Sequence, residues 1–318
     1  SEMCIRDRPD ADHAVDAREL PAADTPEFEE AVAEQSVFGR VIPDQKRHMV
    51  TAMQNAGHTV AMTGDGVNDV LALKGADIGI AMGSGAPATK AVAQIVLLDN
   101  RFSSLPNVVA EGRRVIANME RVASLFVTKT VYAAILAVAI GFAGWAFPLL
   151  PRHLTLIGSL TIGIPAFFLS FEATEEPVRS GAFARIMRFA VPSGIVAATA
   201  AYGVYSAARA IDGDLTIARS ATTITMVLVG MWVLTELVIP LTPTRAALVG
   251  AMIGAFALTL AVPFGRVFFD LVIPPLDIIA VIAGATVVSA ALLHVVLRVV
   301  DHQEGPWVPW LGRNEENG

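Results

Sequence analysis

The 318-residue chain has one cysteine, Cys4, which excludes an internal disulfide and any multi-thiolate metal site. Basic charge is scarce. Lys and Arg number 23 against 30 Asp and Glu, and neither a cationic stripe nor basic-aromatic interleaving is present. Nucleic acid is therefore excluded as a partner, because phosphate neutralisation needs clustered cations. There is also no GxxxxGK[ST] stretch, which removes a Walker-type nucleotide loop.

What is abundant is apolar. Hydrophobic residues make up 54% of the chain and the mean hydropathy is +0.56, too high for two ordinary soluble domains. Charge is uneven along the chain. Residues 1–121 hold 12 Lys and Arg against 18 Asp and Glu, and residues 122–318 hold 11 against 12. An acidic soluble third thus precedes an apolar two-thirds. Residues 1–8, SEMCIRDR, fit no element that follows and read as a leader foreign to the fold. With no secretory signal before the soluble part, membrane entry is expected from internal helices, leaving that part in the cytosol.

From 9 to 103, Val60 to Met62, Ile78 to Met82 and Ile95 to Leu98 read as buried parallel strands bounded by Gly or Asp. A helix opens at Pro43, carries Met49, Val50 and Met53 on one side, and stops at Gly57; shorter helices are expected over Val67 to Lys74 and Pro87 to Ala93. This alternation predicts an α/β sheet with its ligand at the carboxyl ends of the strands. A long helix then starts near Ser103 or Ser104, possible N-caps, and meets no proline between Pro106 and Pro148. Its apolar repeat is Leu105, Val109, Gly112, Val115 or Ile116, Met119, Val122 and Phe126. At roughly 60 Å, it is twice as long as the hydrocarbon layer is thick. Its polar half, with Glu111, Arg113, Arg114, Glu120 and Arg121, reads as a stalk over 104–121 outside the bilayer.

Five further apolar segments, near 154–171, 187–208, 221–239, 246–263 and 276–299, bring the expected spans over 122–303 to six, followed by a cytosolic tail over 304–318. Arg179, Arg185, Arg188, Arg245, Arg298 and Arg313 then lie inside, against Arg152, Arg209, Arg219 and Arg266 outside. Gly250 and Gly254 form a GxxxG, read equally well as a packing device or as chance.

The chemistry concentrates in Met62 to Asp69, MTGDGVND, at the end of an apolar strand. Its glycines let backbone approach a phosphate closely, and Asp65 is a candidate ligand for a hard cation such as magnesium. An Asx-rich connecting turn, with Asn68 or Asp69 as N-cap, is the bland alternative. PDQK at Pro43 to Lys46, MTGDGVND, LKGADIGIAMGSG at Leu73 to Gly85 and EGRRVIANM at Glu111 to Met119, in this order and ahead of six spans, resemble P-type cation-transporting ATPases.

The resemblance implies the second part of a haloacid-dehalogenase-like, Rossmann-like phosphorylation domain followed by an all-α six-helix membrane bundle. The family's aspartyl nucleophile lies in DKTGT, which this sequence does not contain. The chain is accordingly expected to be a carboxy-terminal part, inactive alone, whose ATP is bound mainly by the missing amino-terminal part of the same polypeptide. By resemblance, Lys46 neutralises the phosphoryl group, Asp65 binds magnesium, Asn68 donates to the phosphoryl group and Asp69 orients Lys46. Thr63, Gly64 and Gly66 form the phosphate loop.

In the bundle, Thr161-Ile162-Gly163-Ile164-Pro165 interrupts the second span, because Pro165 has no N–H for the Thr161 carbonyl. Such a carbonyl is tolerable facing a cavity or an ion, and a plain kink is the alternative. Calcium pumps of the superfamily carry Asn and Asp ligands in this helix; Gly158 and Ile162 stand there instead. Thr130 and Ala133 similarly replace Asn and Glu of the first span. Lys129, flanked by Thr128 and Thr130, is read as a built-in counter-charge or as a lysine snorkelling to the interface. The candidate transport site is therefore Lys129, Thr130, Thr161 and Pro165. Glu172, Glu175 and Glu176 read as a solvated loop, and Glu236, Asp277 and His294 as lone polar groups.

KTVY and LTIGIPAFF are most similar to an actinobacterial E group of these ATPases, implying a multi-pass protein of the bacterial cytoplasmic membrane with calcium as cargo. Magnesium, manganese, potassium, a polyamine or a lipid are alternative cargoes. A haloacid-dehalogenase phosphatase on an unrelated membrane anchor is the rival from another class, and it predicts a helix break between residues 100 and 122.

Overall fold

A computed structural model describes residues 14–23, 25–172 and 181–304. The leader, the tail beyond 304, Glu175, Glu176, Arg179 and Arg313 lie outside the described residues. The chain divides into two compact units, Ser1–Val108 and Val109–Gly318.

In the first unit, β1 (Val15–Asp16) pairs in parallel with β2 (Phe38–Gly39). Between them runs α1 (Pro26–Glu34), whose cap Thr25 accepts a hydrogen bond from the Phe28 amide at 3.3 Å. Helix α2 (Pro43–Asn55) takes proline in its first turn and ends before Gly57, whose φ of +86° suits a residue without Cβ. It buries Val50 and Ala52, with Met49 packed against the cluster of Phe28, Val32 and Ala52, while Met53 is exposed, contrary to the expected face. β3 (Ala61–Gly64), β4 (Ile78–Met82) and β5 (Ile95–Leu97) form a parallel sheet in that order. Strand β3 begins one residue later than expected and reaches Gly64. The helix expected over Val67 to Lys74 is two pieces, a 3-10 turn (Val67–Asp69) and α3 (Val70–Gly75); α4 (Pro87–Val92) follows β4. Val50, Val60, Ala72 and Ala76 form the core beneath the sheet.

Helix α5 (Leu105–Ala143) runs 39 residues without a break, after a 3-10 turn at Phe102–Ser104. Ser104 does not cap it; its hydroxyl donates to the Asp99 carboxylate. Beyond α5, the second unit holds α6 (Pro151–Gly158), a π-helical segment Ser159–Gly163, α7 (Ile164–Leu169), α8 (Ala182–Ile211), α9 (Leu215–Leu237), α10 (Pro243–Ala261), α11 (Pro263–Phe269) and α12 (Leu276–Glu304). The interruption expected before Pro165, as a freed carbonyl or as a plain kink, is a π segment that ends before Pro165. Among the described residues six helical stretches are long and apolar enough to cross a membrane, as the sequence predicts. Of these, α8 and α9 are the most enclosed, with 61% and 67% of their apolar windows buried. Close approach is set by small residues: a Cβ on Gly194 of α8 would meet Val131 of α5 at 2.5 Å. Gly250 and Gly254 show no such role, since a Cβ on either would meet nothing within 4 Å.

The buried stripe of α5 also differs from the expected one. Asn118, Arg121, Leu125, Thr128, Tyr132, Leu136 and Ile140 are buried, whereas Val109, Val115, Met119 and Phe126 are exposed. Of these exposed residues only Phe126 lies within the expected span, where lipid solvates an apolar side chain as well as protein does; Val109, Val115 and Met119 lie on the stretch expected as a stalk.

Candidate functional site

In the first unit the turn after β3 is built from backbone outward. Asp65 and Gly66 leave the strand, the Ala86 amide donates to the Asp65 carbonyl at 2.8 Å, and the Thr89 hydroxyl donates to the Gly66 carbonyl at 2.8 Å. These contacts anchor the loop to the start of α4. The chain then folds back, bringing buried Asp69 against Gly64 and Gly66. The Gly66 amide donates to Asp69 Oδ2 at 3.3 Å. Asp69 precedes α3 yet makes no capping bond there, so the N-cap reading fails for it. A Cβ on Gly64 would lie 2.5 Å from Asp69 Cβ, so glycine is required for this approach.

Lys46 comes from the first turn of α2. Gln45 beside it accepts from the Ile42 amide at 3.2 Å and donates to the Ala17 carbonyl at 2.7 Å, fixing that turn against the segment after β1. Lys46 Nζ donates to Asp69 Oδ1 at 2.6 Å; one-third of its side chain is exposed, against 10% of that of Asp69. Asp69 is thereby committed on both oxygens, and the ammonium is held at the rim, available to a second anion. Asp65 and Asn68 are exposed, and Thr63, Gly64 and Gly66 are half-buried. The structure therefore brings Lys46, Gly64, Gly66 and Asp69 into direct contact and puts Asp65 and Asn68 on the same short turn.

The turn offers one exposed carboxylate, that of Asp65. The described residues contain no group of three acidic or histidine side chains that could cage a metal. Magnesium usually keeps several waters and takes one or two carboxylates plus phosphate oxygens. With Asp69 occupied by Lys46, Asp65 is the carboxylate left for such an ion.

The four candidate transport residues do not share one cavity. Lys129 lines a groove of about 340 Å³ with Thr155, Gly158, Ser159 and Gly163, its ammonium 3.2 Å from where a Cβ on Gly158 would stand. Thr161 is buried in a separate small cavity with Thr128, and its hydroxyl donates to the Ile157 carbonyl at 2.7 Å. Thr130 is exposed and donates to the Phe126 carbonyl at 3.0 Å, while Pro165 is buried in α7.

Other polar groups are connected where the sequence suggested isolation. Glu172 is no solvated loop residue: it accepts from Arg121 at 3.3 Å and from Arg245 at 2.7 Å. Arg121 also reaches Asn118 Oδ1, Asn118 donates to the Ser170 carbonyl at 3.0 Å, and Arg245 donates to the carbonyls of Val238 and Pro240 at 3.0 Å. Glu120 accepts from Arg185 at 2.7 Å. Glu236 is buried in α9 and contacts His294 Nδ1 of α12 at 2.9 Å, so neither is lone. Asp277 is a helix-end residue, its Oδ1 accepting from the Ile278 amide at 2.9 Å. The usable signal was present in the charges clustered where spans end, which must find partners on entering lipid.

The model of the haloacid dehalogenase-like hydrolase family matches residues 45–109. A calcium-transporting ATPase CtpE of Mycolicibacterium smegmatis is 45% identical over 92% of this chain and 39% of that protein. CtpE of Mycobacterium tuberculosis is 45% identical over 88% of this chain and 37% of its own length. A probable cation-transporting ATPase exp7 of Streptococcus pneumoniae is 42% identical over 52% of this chain and 22% of its own length. The chain thus spans about two-fifths of the length of the first of these relatives.

Proposed function

We propose that this chain, which belongs to the P-type cation-transporting ATPases, is the part of an ATP-driven pump that completes the phosphoryl site and carries the cation across the membrane. The observation that carries this reading is the Lys46–Asp69 contact beneath the Asp65 turn. Phosphoryl transfer demands positioning and charge neutralisation more than covalent chemistry from the protein. Lys46 supplies a fixed ammonium for the phosphoryl oxygens, Asn68 a donor on the exposed side of the turn, and Asp69 the anchor that stops Lys46 from swinging away. Asp65 would hold magnesium, which neutralises phosphate charge when bound. The nucleophilic aspartate and most of the ATP contacts belong to the rest of the polypeptide in this reading.

Calcium is the proposed cargo, supported by the names of the 45%-identical relatives. Lys129, Thr130, Thr161 and Pro165 are proposed to border its route, with Lys129 acting as counter-charge when the cation leaves. The reading divides the chain into a phosphorylation part over 9–103, a stalk over 104–121 and the six-span bundle over 122–303. It assigns α5 the transmission of movement between them, which its unbroken run supports. The proposed location is the bacterial cytoplasmic membrane, with the phosphorylation part in the cytosol.

The test is ATP-dependent uptake by vesicles containing the full-length protein, comparing calcium, magnesium, manganese and potassium. Saturable calcium uptake that Lys46→Ala abolishes is the expected result. Uptake of another ion alone would move the cargo assignment, and no ATP-dependent uptake of any of them would remove the pump reading.

A further inference from the structure

The second unit holds a small, partly open cavity of about 20 Å³ where α5, the π segment, α8 and α9 meet. Three hydroxyl side chains, Thr128, Tyr132 and Thr161, line it among apolar neighbours such as Leu125 and Met226. Each of the three is at least nine-tenths buried. The Tyr132 hydroxyl, although only 5% of the residue is exposed, has no hydrogen-bond partner among the described residues. A buried hydroxyl left unbonded is uncommon and costly, and an ordered solvent molecule is the usual remedy.

The other two side chains define what the ligand must be. Thr128 Oγ1 gives its proton to the Ser124 carbonyl at 2.7 Å, and Thr161 Oγ1 gives its own to the Ile157 carbonyl at 2.7 Å. Both threonine oxygens therefore retain only acceptor capacity towards the cavity, while Tyr132 can donate. A ligand that accepts one hydrogen bond and donates two fits this set, and water does both. The volume agrees, since a water needs roughly 10–15 Å³ of such space. A bare calcium ion does not fit, because it takes six to eight oxygens and this lining offers three neutral ones. The wall is already closely packed: a Cβ on Gly230 of α9 would lie 2.8 Å from Thr161 Cγ2.

We propose that Thr128, Tyr132 and Thr161 form a binding site for a single buried water that links α5 to the π segment of the second span. Tyr132 is its positioning residue. The inference stands apart from the pump reading, because the water is held whether or not any cation is moved.

The test uses the full-length protein crystallised from a lipid mesophase. A high-resolution density map is expected to place one solvent peak about 3 Å from Tyr132 Oη, with no anomalous signal after exposure to Rb+ or Mn2+. Tyr132→Phe is expected to lower Tm by roughly 2–4 °C. Combined with Thr161→Val it should lower Tm by less than the two single shifts together, because both variants lose the same water. Thr128→Val serves in the same cycle should Thr161→Val fail to fold. A Tyr132→Phe protein as stable as the parent or more so, additive shifts, or a metal signal at the peak would each overturn the assignment.

Discussion

The two units handle their polar groups in opposite ways. In the first, the proposed chemistry sits on one seven-residue stretch, Thr63 to Asp69, completed by Lys46 from a neighbouring helix. In the second, polar contacts are spread thinly. Glu172 is met from α5 and α10, Glu120 from α8, and Glu236 from α12. The difference follows from solvent. A loop in water can leave Asp65 and Asn68 exposed for a ligand, whereas a charge entering lipid needs a partner already in place. Contiguity in sequence therefore marks the site in the first unit, and pairing across helices marks the important groups in the second.

The sharpest way to break the comparison is to remove the Lys46 ammonium that completes the turn of the first unit. Lys46→Ala should lower ATP turnover of the full-length protein about 10²–10³-fold, the scale of losing one preorganised electrostatic contact, a loss to be read on folded protein because buried Asp69 also loses its partner. A small activity loss would mean the first unit also distributes its function. The second unit should respond in stability instead. Glu172→Ala removes the carboxylate facing two buried guanidiniums and is expected to cost about 3 kcal/mol, read from thermal unfolding in detergent. Glu236→Gln in α9 should cost about 1 kcal/mol, since interhelical polar contacts in membranes are individually modest. If Glu236→Gln proves the costlier of the two, the α9–α12 contact, not the Glu172 cluster, anchors the bundle.

How much of this was legible in sequence follows the same division. The parallel strands, the Pro43 start, the six spans and the order of the motifs could be read because each depends on local periodicity or on Gly and Pro. The pairing of Lys46 with Asp69 was available only through family resemblance; 23 residues separate them, and no local rule joins them. The buried face of α5 was misread from apolar spacing alone: the exposed Val109, Val115, Met119 and Phe126 were taken as the inward stripe. The polar residues Asn118, Arg121 and Thr128 carry the true one. Glu172 looked like loop because its partners lie 51 and 73 residues away. The π segment could not be anticipated beyond the presence of Pro165, since its extra residue per turn is settled by packing between helices.

The smallest effect expected is acid sensitivity of the first unit. The Val60 amide donates to Asp77 at 2.8 Å, and the hydroxyl of Ser104 donates to Asp99; these bonds hold both carboxyls below the usual carboxylate range. A depressed folded value gives stability that is present above the unfolded value of about 3.9 and is lost as pH falls through the folded one. Asp77→Asn should therefore flatten the acid end of the unfolding profile slightly, lowering stability a little near neutral pH and leaving it unchanged below both values. An unchanged acid limb would show that Asp77 contributes nothing to it.

The central claim is that the Asp65 turn and the membrane bundle serve one cycle. Its most direct test measures, in the same preparation of full-length protein, magnesium-dependent phosphoenzyme formation from labelled ATP and calcium uptake, with and without Asp65→Asn. The account predicts that both fall together by at least about 10²-fold. Undiminished phosphoenzyme formation, or calcium uptake that persists without it, would contradict the claim.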